Sequence, residues 1–368
     1  MSQIAERATP APSGTEMVDE LDRHHTRSRI LFWIGGLTVL LIFTLPVATG
    51  LGPVGISSAT VAKIAGHHLF GWPRAVSWSP AQDAIIEQVR MPRVLLGAVV
   101  GAGLAVTGTA LQAMVRNVLA DPYLLGVTAG ASTGAAAMIL FGVGTALGAS
   151  SLTGSAFIGA LASMAVVFAL ARIGGRITSI RLLMAGVAVG YILSAATSFM
   201  IFTSDSEQGA RDVLFWLLGS LTLAIWSSVV IAGLVVVATV VVLLLWARRL
   251  DALAIGDDTA RALGVSPTRM RTQLLIVVSL CVGAVVAVSG GIGFVGLIVP
   301  HIARLCVGGT HRRVLPAAAL IGAIFLIWAD TFARVAFAPA ELPLGIVTAI
   351  VGAPMLLILV RRFHASQA

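Results

Sequence analysis

Long apolar runs separated by short polar breaks dominate this chain. They fall at 30–50, 93–114, 123–142, 153–171, 182–203, 226–247, 271–289, 294–306, 314–337 and 343–361. A helix needs about 20 apolar residues to cross a bilayer, and every run except 294–306 reaches or approaches that length. The short run contains Pro300 and follows Gly290, Gly291 and Gly293. It predicts a broken span whose freed backbone groups must be covered by other helices. Ten segments put both termini on one side. The pattern predicts an all-α polytopic membrane protein. A polar, disordered tail occupies 1–29, a transmembrane domain 30–362 and a short tail 363–368.

One stretch recurs. Val100-Gly101-Ala102-Gly103-Leu104-Ala105-Val106-Thr107-Gly108 reappears as Val282-Gly283-Ala284-Val285-Val286-Ala287-Val288-Ser289-Gly290. The copies are separated by five spans, an odd number, so they should cross the membrane in opposite directions, as inverted transporter repeats do. Gly97, Gly101, Ala105 and Gly108 lie at helical spacing and should allow close helix approach.

Composition agrees. Of 368 residues, 58% are hydrophobic and 11% charged, against about 25% charged in a soluble domain. The net charge of +8 does not indicate nucleic acid, because the arginines are scattered between apolar runs. With the N-terminal tail inside, eighteen basic residues fall on the cytoplasmic side. Six of the 24 (Lys63, Arg74, Arg90, Arg93, Arg211 and Arg334) fall outside. This bias follows the positive-inside rule and makes the outside arginines worth explaining.

Catalytic chemistry is not visible. A phosphate-binding loop of the G-x-x-x-x-G-K-[ST] type needs a lysine, and the lone Lys63 lacks the glycines before it. Gly291-Ile292-Gly293-Phe294-Val295-Gly296 matches G-x-G-x-x-G but has an apolar span before it and no acid about 20 residues on. Cys281 and Cys306 lie in apolar runs, and His301 and the His67-His68 pair lack carboxylates nearby in sequence. No cofactor, metal or catalytic group is expected, and the chain reads as a transport subunit rather than an enzyme.

The longest internal polar loop, about 248–270, carries Asp257-Asp258-Thr259-Ala260-Arg261-Ala262-Leu263-Gly264. Either Asp257 or Asp258 can cap a helix start, Gly264 can end it in a left-handed turn, and Pro267 stops continuation. A short helix along the membrane surface is predicted, with Ala260 and Leu263 on one face. It suits a docking knob for a cytoplasmic partner.

Several stretches resemble the iron-siderophore, haem and cobalamin permeases of ABC importers. They are Arg90-Met91-Pro92-Arg93-Val94-Leu95, Leu111-Gln112, Arg116 to Gly126, Gly256 to Val265, Gly293 to Arg304, His311 to Pro316 and Ala340 to Thr348. The similarity covers about 50–362 in the family's order. One position departs: Val118 stands where family members usually have proline.

The resemblance implies a ten-span permease in a bacterial inner membrane with both termini cytoplasmic. It also implies a second permease half, identical or paralogous, two copies of an ATP-binding subunit below and a substrate-binding protein above. Within it, Arg90, Arg93 and Arg334 would meet acids of the binding protein. Asp257, Asp258, Thr259, Arg261, Leu263 and Gly264 would meet the ATPase. Asn117, Leu119, Thr178 and Ser179 would form the cytoplasmic gate. The Asp121-Pro122-Tyr123-Leu124-Leu125-Gly126 form leans toward a ferric siderophore as cargo, with haem or cobalamin as the alternative. An ion-coupled secondary transporter would instead use an ionisable group inside a span, for which Asp330, one turn before Arg334, is the main candidate.

Overall fold

The computed structural model describes residues 14–52, 54–172 and 178–365. The ends of both expected tails, 1–13 and 366–368, lie outside the described residues. In chain order the α-helices are α1 Gly14–Gly50, α2 Ser58–Phe70, α3 Pro80–Ala84, α4 Met91–Val115, α5 Val127–Phe141, α6 Ser151–Ala171, α7 Ser179–Thr203 and α8 Glu207–Leu217. They continue with α9 Trp226–Leu245, α10 Ala247–Ile255, α11 Asp257–Ala262, α12 Pro267–Ser289, α13 Val295–Val307, α14 His311–Val335 and α15 Leu344–Ala365.

Seven helices among the described residues are long and apolar enough to cross a membrane. The shorter apolar helices, α5, α13 and the first part of α15, bring the set to ten. The helix at the N-terminus begins at Gly14, so 14–29 extend α1 instead of forming part of a disordered tail. Once the apolar run has nucleated a helix, adding residues to it is far easier than starting one.

α4 is the hub. It packs against α9, α12, α13 and α14 and is buried along most of its length. Its glycines make this possible. A Cβ on Gly101 would collide with the Gly322 carbonyl of α14, and one on Gly108 with the Gly296 carbonyl at the start of α13. The two copies of the repeat lie on α4 and α12, which pack together. Gly103 faces Val285, its own counterpart in the repeat; a Cβ there would come within 2.9 Å of a Val285 methyl. Equivalent positions meet at a two-fold axis, so this pair lies close to the pseudo-axis relating the copies. The copies are antiparallel: Arg271, near the start of α12, bonds to the carbonyl of Met114, near the end of α4.

The broken span is sealed from within. Pro300 has no N–H, so the carbonyl of Gly296 loses its helical partner. Gln112 of α4 fills the gap, donating through Nε2 to Leu297 O at 3.1 Å and Gly296 O at 3.4 Å. Its Oε1 accepts from Arg304 at 2.7 Å.

Candidate functional site

The polar groups gather at the two ends of the helix bundle. At one end, Arg93 lies near the start of α4 with its whole guanidinium engaged. Nε and Nη2 donate to Asp330 of α14 at 2.9–3.1 Å, and Nη1 and Nη2 donate to Glu341 at 3.1 and 2.9 Å. Arg334 Nε sits 3.0 Å from Asp330 Oδ2, too poorly aligned for a hydrogen bond. Its Nη atoms donate to Leu51 O, Ala48 O and Thr331 Oγ1. Arg90 closes the end of α1, donating to the carbonyls of Thr49, Gly50 and Val54 at 3.2, 3.0 and 2.5 Å.

Thus Arg90, Arg93 and Arg334 are brought together, but with relative exposures of 5, 7 and 4% they do not form an open platform of free cations. Burying them unpaired would cost several kcal/mol each, on the order given for buried ions, which is why carboxylates and carbonyls converge there. Asp330, the candidate for ion coupling, is a 1%-exposed counter-ion between two arginines. Glu341 is the accessible member, with its side chain 40% exposed. Burial pushes its carboxyl up, but the bonds from Arg93 and Thr222 and the nearby guanidiniums hold it below the ordinary glutamate value. It also lines a cavity of about 670 Å³ with Thr153, Asp212, Ser220 and Trp216.

The opposite end carries the predicted docking helix, α11. Gly256, not Asp257 or Asp258, is its N-cap, and no side chain caps it. Asp257 is drawn elsewhere: its two oxygens accept from Arg271 Nη1 and Nη2 at 2.9 and 2.7 Å. Those bonds hold its carboxyl below the ordinary aspartate value. Asp258 pairs with Arg261 at 2.5 Å on the surface. The helix ends in a left-handed turn at Gly264 (φ +77°), where Gly264 N donates to Arg261 O and Val265 N to Ala260 O. Ala260 and Leu263 do not share a face: Ala260 is fully buried and Leu263 is 64% exposed. α11 therefore presents Leu263, Arg261 and Asp258 outward.

The two predicted gate segments converge beside it. Arg116 adopts φ +57° and turns the chain at the end of α4. Asn117 Oδ1 then accepts from Leu119 N at 2.9 Å. Thr178 caps α7 by accepting from Arg181 N, and Ser179 Oγ donates to Met114 O at 3.3 Å.

Comparison with known proteins decides the class. The sequence profile of the FecCD transport family matches residues 39–362. The chain belongs to the FecCD transport family. This FecCD protein is 40% identical over 332 residues to the hemin transport permease HmuU of Yersinia pestis, covering 89% of this chain and 95% of HmuU. It is 38% identical to the cobalamin import permease BtuC of Halobacterium salinarum, covering 91% and 97%. A solved inward-facing structure described as a metal-chelate type ABC transporter matches with TM-score 0.77 and 32% identity. That match covers 89% of this chain and 98% of the other. The chain is therefore a multi-pass permease subunit of an ABC importer and not itself an enzyme. Import by such a subunit requires a separate ATPase and a substrate-binding protein.

Some residues of this site were not singled out from the sequence. Arg271 counted only as one charge among the cytoplasmic eighteen. Its signal was an arginine four positions beyond Pro267, at the head of an apolar run. Glu341 appeared only inside a motif. Asp251 carried no signal in the sequence and His311 appeared only as the first residue of a motif; they pair across α10 and α14 at 2.6 Å.

Proposed function

We propose that this FecCD permease imports a ferric siderophore. The likeness to a metal-chelate type transporter carries this reading, and the Asp121–Gly126 motif leans the same way. The relatives named for hemin and cobalamin make those cargoes the alternatives. A second permease half, the same chain or a paralogue, completes the pathway. Two ATPase copies bind at the arginine-rich cytoplasmic end in an inner membrane, with both termini inside. Lipid covers the remaining apolar flanks.

In this reading α11 is the ATPase contact through Asp257, Asp258, Thr259, Arg261, Leu263 and Gly264, supported by the outward Leu263 and Arg261. The gate lies at Asn117, Leu119, Thr178 and Ser179, supported by the bond joining its two segments through Met114 O. The binding protein docks over Arg90, Arg93 and Arg334. Because Glu341 already occupies the outward edge of Arg93, an incoming carboxylate competes with Glu341 rather than meeting a bare cation.

The test is stimulation of ATP hydrolysis. The chain is purified with its co-encoded ATPase and binding protein, then offered ferrioxamine B, hemin or cyanocobalamin. Stimulation by the ferric chelate alone is expected. Stimulation by hemin or cobalamin alone overturns the siderophore assignment while leaving the permease class intact.

A further inference from the structure

We propose that Arg271 is the residue through which movement of α11 reaches the cytoplasmic gate. This rests on the reading of α11 as the ATPase contact. Arg271 sits in the first turns of α12 with its side chain 2% exposed. It grips Asp257 at the head of α11 with both Nη atoms. Its Nε points the other way and donates to Met114 O at 3.4 Å. That same carbonyl accepts from Ser179 at the start of α7. It also lies two residues before Arg116, where the chain reverses toward Asn117 and Leu119. One guanidinium therefore bonds both to the surface helix and to the backbone point where the two gate segments meet.

The chemistry suits transmission. A bidentate guanidinium–carboxylate pair fixes angle as well as distance, so a tilt of α11 turns the guanidinium instead of sliding past it. The route does not depend on Arg116, whose guanidinium is 3.8 Å from Asp257 and much more exposed. A lysine at 271 would keep the charge but could neither form the fork nor bond to Asp257 and Met114 O in the same geometry.

Arg271 is thus a positioning residue. It touches neither nucleotide nor cargo, and its role is read at the gate. The reporter is the rate at which a water-soluble methanethiosulfonate modifies Leu119→Cys in the permease–ATPase complex, with and without ATP. A complex lacking the added cysteine serves as the blank. With Arg271 present, ATP changes the labelling rate. In R271K the ATPase is expected to copurify normally and still hydrolyse ATP, while the ATP-dependent change in labelling shrinks by about fivefold or more, the lower end of ordinary coupling between sites. An undiminished change overturns the relay. Loss of the ATPase from R271K also overturns it, since Arg271 would then shape the docking surface instead. Should R271K fail to reach the membrane, the neutral Arg271→Gln, which leaves Asp257 on a side chain 27% exposed, is read against the same labelling outcomes. Failure of the underlying ATPase assignment shows separately, as retention of the ATPase by the R261E/L263E variant.

Discussion

Gln112 supplies the hydrogen-bond donor that Pro300 lacks. The two residues are on different helices, yet the carbonyl of Gly296 that Pro300 leaves free lies within reach of Gln112 Nε2, which also bonds Leu297 O. This lets a 13-residue broken helix pack against α4 and α14 in an apolar bundle. Gln112→Leu should destabilise the purified protein by about 1–3 kcal/mol, the cost of leaving a buried polar group unpaired. In a Pro300→Ala background the helix can supply its own N–H, so the cost of Gln112→Leu should shrink. A double-mutant cycle in thermal unfolding measures this. Additive effects would show that the two residues are not coupled.

The outward face of α11 should be the part that the ATPase needs. Replacing Arg261 and Leu263 together with glutamate leaves buried Ala260 and the Asp257–Arg271 pair in place. The variant should insert normally and lose the ATPase on copurification. Normal ATPase yield would remove α11 from the interface.

At the other end, removing an arginine and freeing it should have opposite effects. Arg93→Glu places a carboxylate beside buried Asp330, and breaking a buried pair costs about 3–5 kcal/mol, so membrane abundance should collapse. Glu341→Gln weakens the competitor for Arg93 without removing the cation. Docking of the binding protein should then tighten modestly, by a few-fold at most for a pair worth about 0.2–1 kcal/mol. The gain should be larger at low salt. Titration of the binding protein onto the complex at two ionic strengths checks this, and weaker docking of Glu341→Gln would contradict the competition.

The Asp251–His311 contact should give an acid limb to stability. Burial raises the Asp251 carboxyl, but bonds from the His311 ring and backbone lower it further, to a net position below the ordinary value. A depressed folded value means that the group stabilises above its unfolded pKa, near 3.9. That contribution is lost as pH falls through the lower folded value. Melting temperature should fall as pH drops below about 4, and Asp251→Asn should flatten that part of the profile. An identical acid limb in the variant would assign it to other carboxylates.

Residues 1–20 should be dispensable. They precede the apolar part of α1, and Arg23, Arg27 and Arg29 remain as the orientation signal. Uptake per permease in the membrane should be unchanged on their deletion; a loss at equal abundance would reveal a role for the tail.

The spans were legible because a bilayer imposes a length and a composition on each one separately, and both can be read locally. The left-handed turn at Gly264 was legible for a similar reason, since it depends on one residue's backbone freedom. Caps and faces were less so. Asp257 looked like a cap because aspartates usually are, but a guanidinium fourteen positions later competes for its oxygens more strongly than a backbone N–H does. Ala260 and Leu263 read as one face in the sequence, but packing of α11 against its neighbours α10 and α12 leaves Ala260 buried and Leu263 exposed.

From the sequence alone came the membrane class, ten apolar segments, the short span at Pro300, the repeat and the sidedness bias, all consequences of local hydropathy, charge and spacing. Tertiary structure alone decided that Arg90, Arg93 and Arg334 are buried and bonded, that Gln112 repairs the broken span and that Arg271 bonds both to Asp257 and to the carbonyl of Met114. Those outcomes depend on which atoms meet across as many as 286 positions of chain. A buried charge or an unpaired carbonyl is so costly in an apolar interior that its partner is chosen by proximity in space, which no periodicity along the chain records.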